Sequence, residues 1–282
     1  MNVRKVTAAS AVALSLALAA TACGGGKKDS ADGNGGDKGG KITIGIKIDQ
    51  PGIGLKTPDG KYTGFDVEVA KYIAKELGYE EGDIVFKETK SADRETAIER
   101  GDVKFIAASY SINDKRLAKV DFAGPYLLAH QDILVRADDN SITKPEDLNS
   151  KKLCSVTGST SAQNVKDKLA PKAQLQEYGG YSECLTGLEN KVIDALTTDD
   201  SILAGYASQE AFKGKFKLAG FKMSNENYGI GLKKGDTELK DKINKALEKM
   251  VADKSWQEAV DANFGPAGYK NEPAPKIGNI VK

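Results

Sequence analysis

Two neighbouring stretches decide the fold: residues 41–48 (KITIGIKI) and residues 64–77 (GFDVEVAKYIAKEL). The first alternates apolar and polar residues with period two and is rich in isoleucine, which predicts a β-strand. The second places apolar residues at four-residue spacing on one face and is followed by Gly78, which is typical of a helix end. A strand followed by an amphipathic helix indicates the α/β class.

Outward from these stretches, short apolar strands alternate with amphipathic helices. The further predicted strands are 103–108, 152–156, 175–178 and 194–197, and the further predicted helices are 94–100, 162–169, 181–191, 201–208 and 237–252. A capping box at Thr143–Glu146 predicts one more short helix. This order predicts α/β layers around mostly parallel sheets. A body of about 230 residues suits two lobes better than one sheet.

The composition excludes several classes of protein. The 282 residues include 41 basic and 40 acidic side chains, so a polybasic nucleic-acid binder is not expected. One histidine and three cysteines cannot build a His-rich catalytic metal site or a Cys₄ zinc site. The sequence contains no G-x-S-x-G, P-loop or H-E-x-x-H motif. We therefore predict no enzyme activity, no metal and no cofactor.

The N-terminus is typical of an exported protein. Arg4 and Lys5 precede an apolar run of thirteen residues, 8–20, which predicts a signal peptide over residues 1–22. The sequence Ala-Thr-Ala before Cys23 resembles the bacterial lipobox, in which the cysteine is lipidated and becomes the mature N-terminus. Simple cleavage after Ala22, leaving a free thiol, is the alternative.

The segment after Cys23 is predicted to be a flexible linker. Eight of the seventeen residues 24–40 are glycine and most of the others are polar, so the segment has little apolar surface to bury. Residues 23–40 are thus expected to tether a body to the outer face of the cell membrane.

The other two cysteines are Cys154 and Cys184. An exported chain meets an oxidising compartment, where this pair is expected to form a disulfide. Two buried free thiols are the alternative.

Three stretches resemble motifs of the family 3 solute-binding proteins, the polar-amino-acid receptors of bacterial ABC importers. They are 64–71 (GFDVEVAK), 109–126 (SYSINDKRLAKVDFAGPY) and 194–199 (DALTTD), and they occur in the family's order. Residues 49–52 and 154–160 are most similar to the glutamate-binding lipoproteins of actinobacteria. The resemblance covers residue 41 to about residue 269.

The resemblance implies a two-lobed α/β fold of the type 2 periplasmic-binding-protein class. Residues 41–133 and 232–270 would form lobe 1, residues 138–225 lobe 2, and residues 271–282 a C-terminal tail. Two crossover strands, near 134–137 and 226–231, would join the lobes around a central cleft that closes on its ligand.

The resemblance also implies a site for a zwitterion, whose two charges need opposite partners when buried. Arg116 matches the arginine that binds the α-carboxylate with its planar fork. Asp199 matches the acid for the α-ammonium, with neighbouring Asp200 as its competitor. Ser159 and Thr160 precede a predicted helix and are expected to contact a ligand carboxylate. Capping of that helix is the alternative for Ser159.

Four more residues complete the predicted site. Ser109 and Ser111 stand at ligand-contact positions of the family, and their alternative role is hydrogen bonding to the local backbone. Arg94 and Lys47 match positions that contact the distal carboxylate in glutamate and aspartate receptors. A surface ion pair with a neighbouring glutamate is the alternative for Arg94. A distal carboxylate would pair with these cations, so glutamate or aspartate is expected over glutamine.

The expected protein is therefore a monomeric, lipid-anchored receptor that captures glutamate and delivers it to ABC permease and ATPase subunits. An exported enzyme on the same fold, similar to cyclohexadienyl dehydratase, and an amino-acid sensor module are the alternatives. Binding of nucleic acid is not expected.

Overall fold

The computed structural model describes residues 40–281. The predicted signal peptide, the lipidation at Cys23 and all but the last residue of the predicted linker lie outside these residues. No helix within 40–281 combines the length and the apolar character needed to cross a membrane.

The strands are, in chain order, β1 (Ile42–Ile46), β2 (Asp49–Gln50), β3 (Gly54–Lys56), β4 (Tyr62–Thr63), β5 (Ile84–Glu88), β6 (Phe105–Ala107), β7 (Asp121–Arg136), β8 (Lys152–Val156), β9 (Gln174–Tyr178), β10 (Ala195–Asp199), β11 (Phe216–Leu218) and β12 (Asn225–Leu232). The helices are α1 (Phe65–Glu76), α2 (Arg94–Glu99), α3 (Asp114–Leu117), α4 (Thr160–Asn164), α5 (Tyr181–Glu189), α6 (Asp200–Ala207), α7 (Thr237–Ala252) and α8 (Ser255–Phe264).

Most predicted elements are found within two residues of their predicted ends. The predicted helix 162–169 is α4 followed by a π-helical turn, Val165–Leu169. The predicted capping box is shifted by one residue. A 3₁₀ helix begins at Pro145, and Asp147 rather than Glu146 accepts hydrogen bonds from the backbone N–H and the hydroxyl of Thr143 (2.9 Å each). Proline favours the first helical position, which sets this register.

The larger sheet has the strand order β5-β1-β6-β12-β7-β10-β8-β9, with β11 also paired to β7. Strands β5, β1 and β6 pair in parallel, as do β10, β8 and β9. The small sheet β2-β3-β4 is antiparallel and packs beside α1. The two parallel groups are the cores of two lobes: the first includes β1, β5 and β6, and the second includes β8, β9 and β10.

Strand β7 belongs to both lobes. Its residues up to His130 pair with β12, and its residues from Gln131 onward pair with β10. The exchange of partners therefore lies between His130 and Gln131, a few residues before the first crossover expected near 134–137. Of residues 127–136, all but Leu128 and Arg136 are buried, so burial does not mark the exchange, although three polar residues, 130–132, interrupt the apolar pattern there.

Helix packing follows the sequence pattern. Val69 and Ile73 of α1 are fully buried in a core cluster that also contains Trp256 and Phe264 of α8. In the second lobe, Cys154 of β8 and Cys184 of α5 form a disulfide, with an S–S distance of 2.02 Å. This confirms the predicted pairing, which connects a strand to the helix that covers it.

The C-terminal segment lies against the body of the protein. The N–H of Gly278 donates to the carbonyl of Gly124 (2.9 Å), and the N–H of Val281 donates to the side chain of Asn227 (3.0 Å). These bonds fix the segment on the first lobe and on strand β12.

Candidate functional site

A small cavity lies where the two lobes meet. Its wall contains residues of both lobes: Ser91, Arg94, Ser109, Arg116, Ser159, Thr160, Ser161, Tyr181, Asp199 and Ile202. The cavity is nearly closed, with a volume of about 10 Å³. A volume of this size holds about one water molecule, so a larger ligand enters only when the lobes or the side chains of the wall move apart. Six of the eight predicted site residues are in the wall.

Arg116 extends from the short helix α3, which begins after Asn113. The Asn113 side chain caps this helix by accepting a hydrogen bond from the Arg116 N–H (2.9 Å). The guanidinium is buried: Nη1 donates to the Ser111 carbonyl at 2.6 Å, and Nε lies 3.5 Å from Glu95 Oε1. Nη2 donates to the carbonyl of Gly158 (3.1 Å). Because Gly158 follows β8, Arg116 connects the first lobe to the second.

Asp199 ends strand β10 on the opposite side of the cavity. The hydroxyl of Tyr228 donates to its Oδ2 at 2.5 Å, and Ser161 Oγ lies 3.4 Å from its Oδ1. Burial raises the pKa of Asp199 well above its usual value, and the nearby charge of Glu226 raises the pKa further. A cation in the cavity would relieve the cost of this buried charge.

Asp200, the sequence competitor of Asp199, is not in the cavity wall. Its Oδ1 accepts hydrogen bonds from the backbone N–H of His130 (3.0 Å) and from the hydroxyl of Tyr269 (2.8 Å). Its carboxylate therefore connects the start of α6 to β7 and to Tyr269, which follows α8.

Arg94 is the first residue of α2, and only 1% of its surface is exposed. Its Nη1 donates to the carbonyls of Ala108 (3.0 Å) and Ser109 (3.1 Å), and its guanidinium lies 4.1 Å from the ring centre of Tyr110. Within residues 40–281, no group accepts a hydrogen bond from its Nε. Burial lowers the pKa of Arg94 to about 10, and the charge of Arg116 contributes to that shift. The alternative of a surface ion pair is wrong, because the side chain is buried and bonded to the backbone.

Lys47 lies behind the wall rather than in it. Its Nζ donates to Ser91 Oγ (2.8 Å), and Ser91 faces the cavity. Burial, together with the smaller effect of the charge of Arg94, lowers the pKa of Lys47 to about 7. Lys47 therefore acts on the cavity through one hydroxyl and through its charge.

Ser109 adopts a strained backbone conformation, with a φ of 43°. Such left-handed geometry costs a residue with a side chain roughly 1–3 kcal/mol and is concentrated at functional sites. Its N–H donates to Asp66 Oδ2 at 2.7 Å, and its hydroxyl donates to Gln50 Oε1 at 3.0 Å. Ser111 is not in the cavity wall. It lies with Arg116 in the wider cleft that adjoins the cavity.

The start of α4 supplies two wall residues. Ser159 caps the helix, because its hydroxyl accepts a hydrogen bond from the Ala162 N–H (3.1 Å). The capping alternative therefore holds for Ser159, although its side chain also faces the cavity. The hydroxyl of Thr160 donates to Glu226 Oε2 at 2.9 Å.

Two residues beside the cavity, Glu226 and Tyr228, are not among the predicted site residues, and both lie in β12. Glu226 is buried beside Asp199, and the Tyr228 hydroxyl bonds to Asp199 directly. The only sign of them in the sequence is that the predicted crossover 226–231 contains a glutamate and a tyrosine.

The site has the chemistry of a binding pocket for a small charged molecule. Its wall holds two cations, Arg94 and Arg116, and one anion, Asp199. Within residues 40–281, no three His, Cys, Asp or Glu side chains lie close enough to hold a metal ion. The wall thus offers partners for two anionic groups and one cationic group.

Two α/β lobes with a charged cavity between them define an extracellular solute-binding protein. Residues 42–266 match the family described as bacterial extracellular solute-binding proteins, family 3, and the chain belongs to that family.

The chain is 47% identical to the glutamate-binding protein GluB of Corynebacterium efficiens over 93% of its own length and 91% of the relative. It is 39% identical to the ABC transporter glutamine-binding protein GlnH of Bacillus subtilis, over 77% and 79% of the two chains. Among solved structures, an ancestral arginine-binding protein bound to arginine matches with a TM-score of 0.75 and 35% identity, over 80% of this chain and 99% of the other. These relatives are binding proteins, in agreement with the prediction that the chain is not an enzyme.

Proposed function

We propose that this protein is the receptor of an ABC importer and captures L-glutamate in the cavity between its lobes. The observation that carries the proposal is the charge of the cavity wall, with two cations and one anion. Glutamate brings the complementary set of two carboxylates and one ammonium. Buried charges need such partners, since an unpaired one is costly.

The two ends of the amino-acid group bind to different lobes. Arg116 in the first lobe binds the α-carboxylate, and Asp199 in the second binds the α-ammonium. A ligand that contacts both lobes binds the closed form more tightly than the open one, and so shifts the population towards closure. Ser109, Ser159 and Thr160 complete the hydrogen bonds around these two groups.

The distal carboxylate binds near Arg94. The buried Nε of Arg94 has a donor to spare among the described residues, and Lys47 adds a positive charge behind Ser91. The neutral amide of glutamine would not balance these charges. The resemblance to a glutamate-binding protein supports this assignment, and the resemblance to a glutamine-binding protein makes glutamine the main competitor.

Capture is coupled to transport at the membrane. A lipid on Cys23 and the linker 23–40 hold the receptor on the outer face of the cell membrane, where the closed monomer docks on the permease. Replacing Cys23 with serine is expected to release the receptor into the medium. Retention of this variant in the membrane fraction would contradict the anchor.

Calorimetry of the purified protein against the twenty amino acids tests the ligand. We expect L-glutamate to bind most tightly and L-glutamine at least tenfold more weakly, since a hydrogen bond to a charged group is the stronger kind. Tighter binding of glutamine or arginine would refute the ligand assignment. Absence of binding by every amino acid would refute the proposed function.

A further inference from the structure

The two lobes also meet at a second place, which adjoins the cavity wall at Tyr181. The loop Asp49–Gly52 of the first lobe contacts the start of α5 and the middle of α6 in the second lobe. Asp49 Oδ2 accepts a hydrogen bond from the N–H of Tyr181 at 3.0 Å, and the carbonyl of Asp49 accepts one from the hydroxyl of Tyr206. Asp49 and Tyr206 are not in the cavity wall, so neither is placed to touch a ligand.

The close approach depends on two glycines of the second lobe. A Cβ atom added at Gly205 would lie 2.0 Å from the carbonyl oxygen of Pro51, and one added at Gly180 would lie 2.7 Å from Asp49 Oδ2. Real Cβ atoms essentially never show distances this short. The atom opposite Gly205 belongs to the backbone and cannot turn aside, whereas the one opposite Gly180 is the end of a side chain, so Gly205 is the stricter of the two positions. Gly205 lies inside α6, where alanine is the better helix former, so the helix itself does not require glycine. The missing side chain therefore serves the contact between the lobes.

We propose that Asp49–Gly52, Gly180 and Gly205 form a closure latch that sets the affinity for the ligand without touching it. The inference rests on the proposed function, in which the ligand binds the closed form. The apparent dissociation constant equals the intrinsic one divided by the populated fraction of the closed form. The latch contributes only to that fraction, so it strengthens the binding of every ligand by the same factor.

Gly205→Ala tests the closure latch. The added Cβ forces the lobes apart at Pro51 and weakens the two hydrogen bonds to Asp49, so the Kd for L-glutamate is expected to rise about tenfold or more. The Kd for L-glutamine should rise by the same factor. The ligand-free variant should melt at the same temperature as the wild type or higher, because alanine favours α6. Most of the rise in Kd should come from faster dissociation of the ligand. In small-angle scattering, Gly205→Ala should become less compact than the wild type when glutamate is added.

Gly187→Ala is the matched control. Gly187 also lies in a helix of the second lobe, and its added Cβ would make an ordinary contact of 3.4 Å with Ile193. This variant should bind glutamate like the wild type.

The outcomes separate the latch from the proposed function. If the wild type binds no amino acid, the proposed function fails and the latch with it. If the wild type binds glutamate and Gly205→Ala binds it equally well, the latch alone is overturned. A loss that differs between glutamate and glutamine also overturns the latch, because it would mean that Gly205 acts through the cavity. If Gly205→Ala does not fold, Asp49→Ala is measured against the same criteria.

Discussion

Replacing Arg94 with glutamine is expected to weaken the binding of L-glutamate much more than the binding of L-glutamine. The guanidinium is buried, and its Nε has no acceptor among residues 40–281, so it can donate to a distal carboxylate. A hydrogen bond to a charged group contributes about 1.5–3 kcal/mol, which corresponds to a loss of about 10- to 150-fold for glutamate. A bond between neutral groups contributes about 0.5–1.5 kcal/mol, which corresponds to about 2- to 12-fold for glutamine.

The assay is calorimetric titration of wild type and variant with both ligands. The variant also loses hydrogen bonds to Ala108 and Ser109, so thermal unfolding must show that it is folded at the temperature of the titration. Arg100→Gln, the same change at an exposed position after α2, is the matched control and should leave both affinities unchanged. Equal losses of affinity for glutamate and glutamine in Arg94→Gln would refute the claim that Arg94 binds the distal carboxylate.

Three further predictions concern other groups. Asp199→Asn should weaken glutamate binding at least tenfold in calorimetry, whereas Asp200→Asn should lower the melting temperature and keep the affinity within about threefold, since Asp200 only ties segments together; equal affinities in both variants would contradict this. Replacing Cys154 and Cys184 with alanine should lower the free energy of unfolding by about 4 kcal/mol, because the bridge joins residues 30 apart; an unchanged guanidinium midpoint would argue against it. Burial lowers the pKa of Lys47 to about 7, from 10.5, so the unfolded chain binds more protons between these values. The free energy of unfolding should then rise with pH more steeply in wild type than in Lys47→Met, and parallel profiles from pH 7 to 10.5 would count against a buried Lys47.

The sequence predicts the local structure well where one face of an element is buried. Period two in β1 and four-residue spacing in α1 are direct consequences of that burial, and both elements lie where the pattern predicts them. The pairing of Cys154 with Cys184 followed from counting cysteines in an exported chain. The positions of Arg116 and Asp199 came from the resemblance, because charged residues have no periodicity that marks a site.

Features that depend on distant parts of the chain could not be predicted in this way. β7 pairs first with β12 and then with β10, and the polar residues 130–132 at the change do not identify either partner strand. The contact of Gly205 with Pro51 is equally hidden, because a glycine inside a helical pattern does not identify the backbone that approaches it. The role of Glu226 is also hidden in the sequence, because its partner Thr160 lies in another element, far away along the chain.

The central claim is that Arg116 and Asp199 hold the opposite charges of one zwitterion. Titration of the wild type and of Asp199→Asn with L-glutamate and with glutarate, which lacks the ammonium, tests this claim most directly. We expect the wild type to bind glutamate at least tenfold more tightly than glutarate, and we expect this preference to disappear in Asp199→Asn. Glutarate binding as tightly as glutamate in the wild type, or the same preference in both proteins, would contradict the claim.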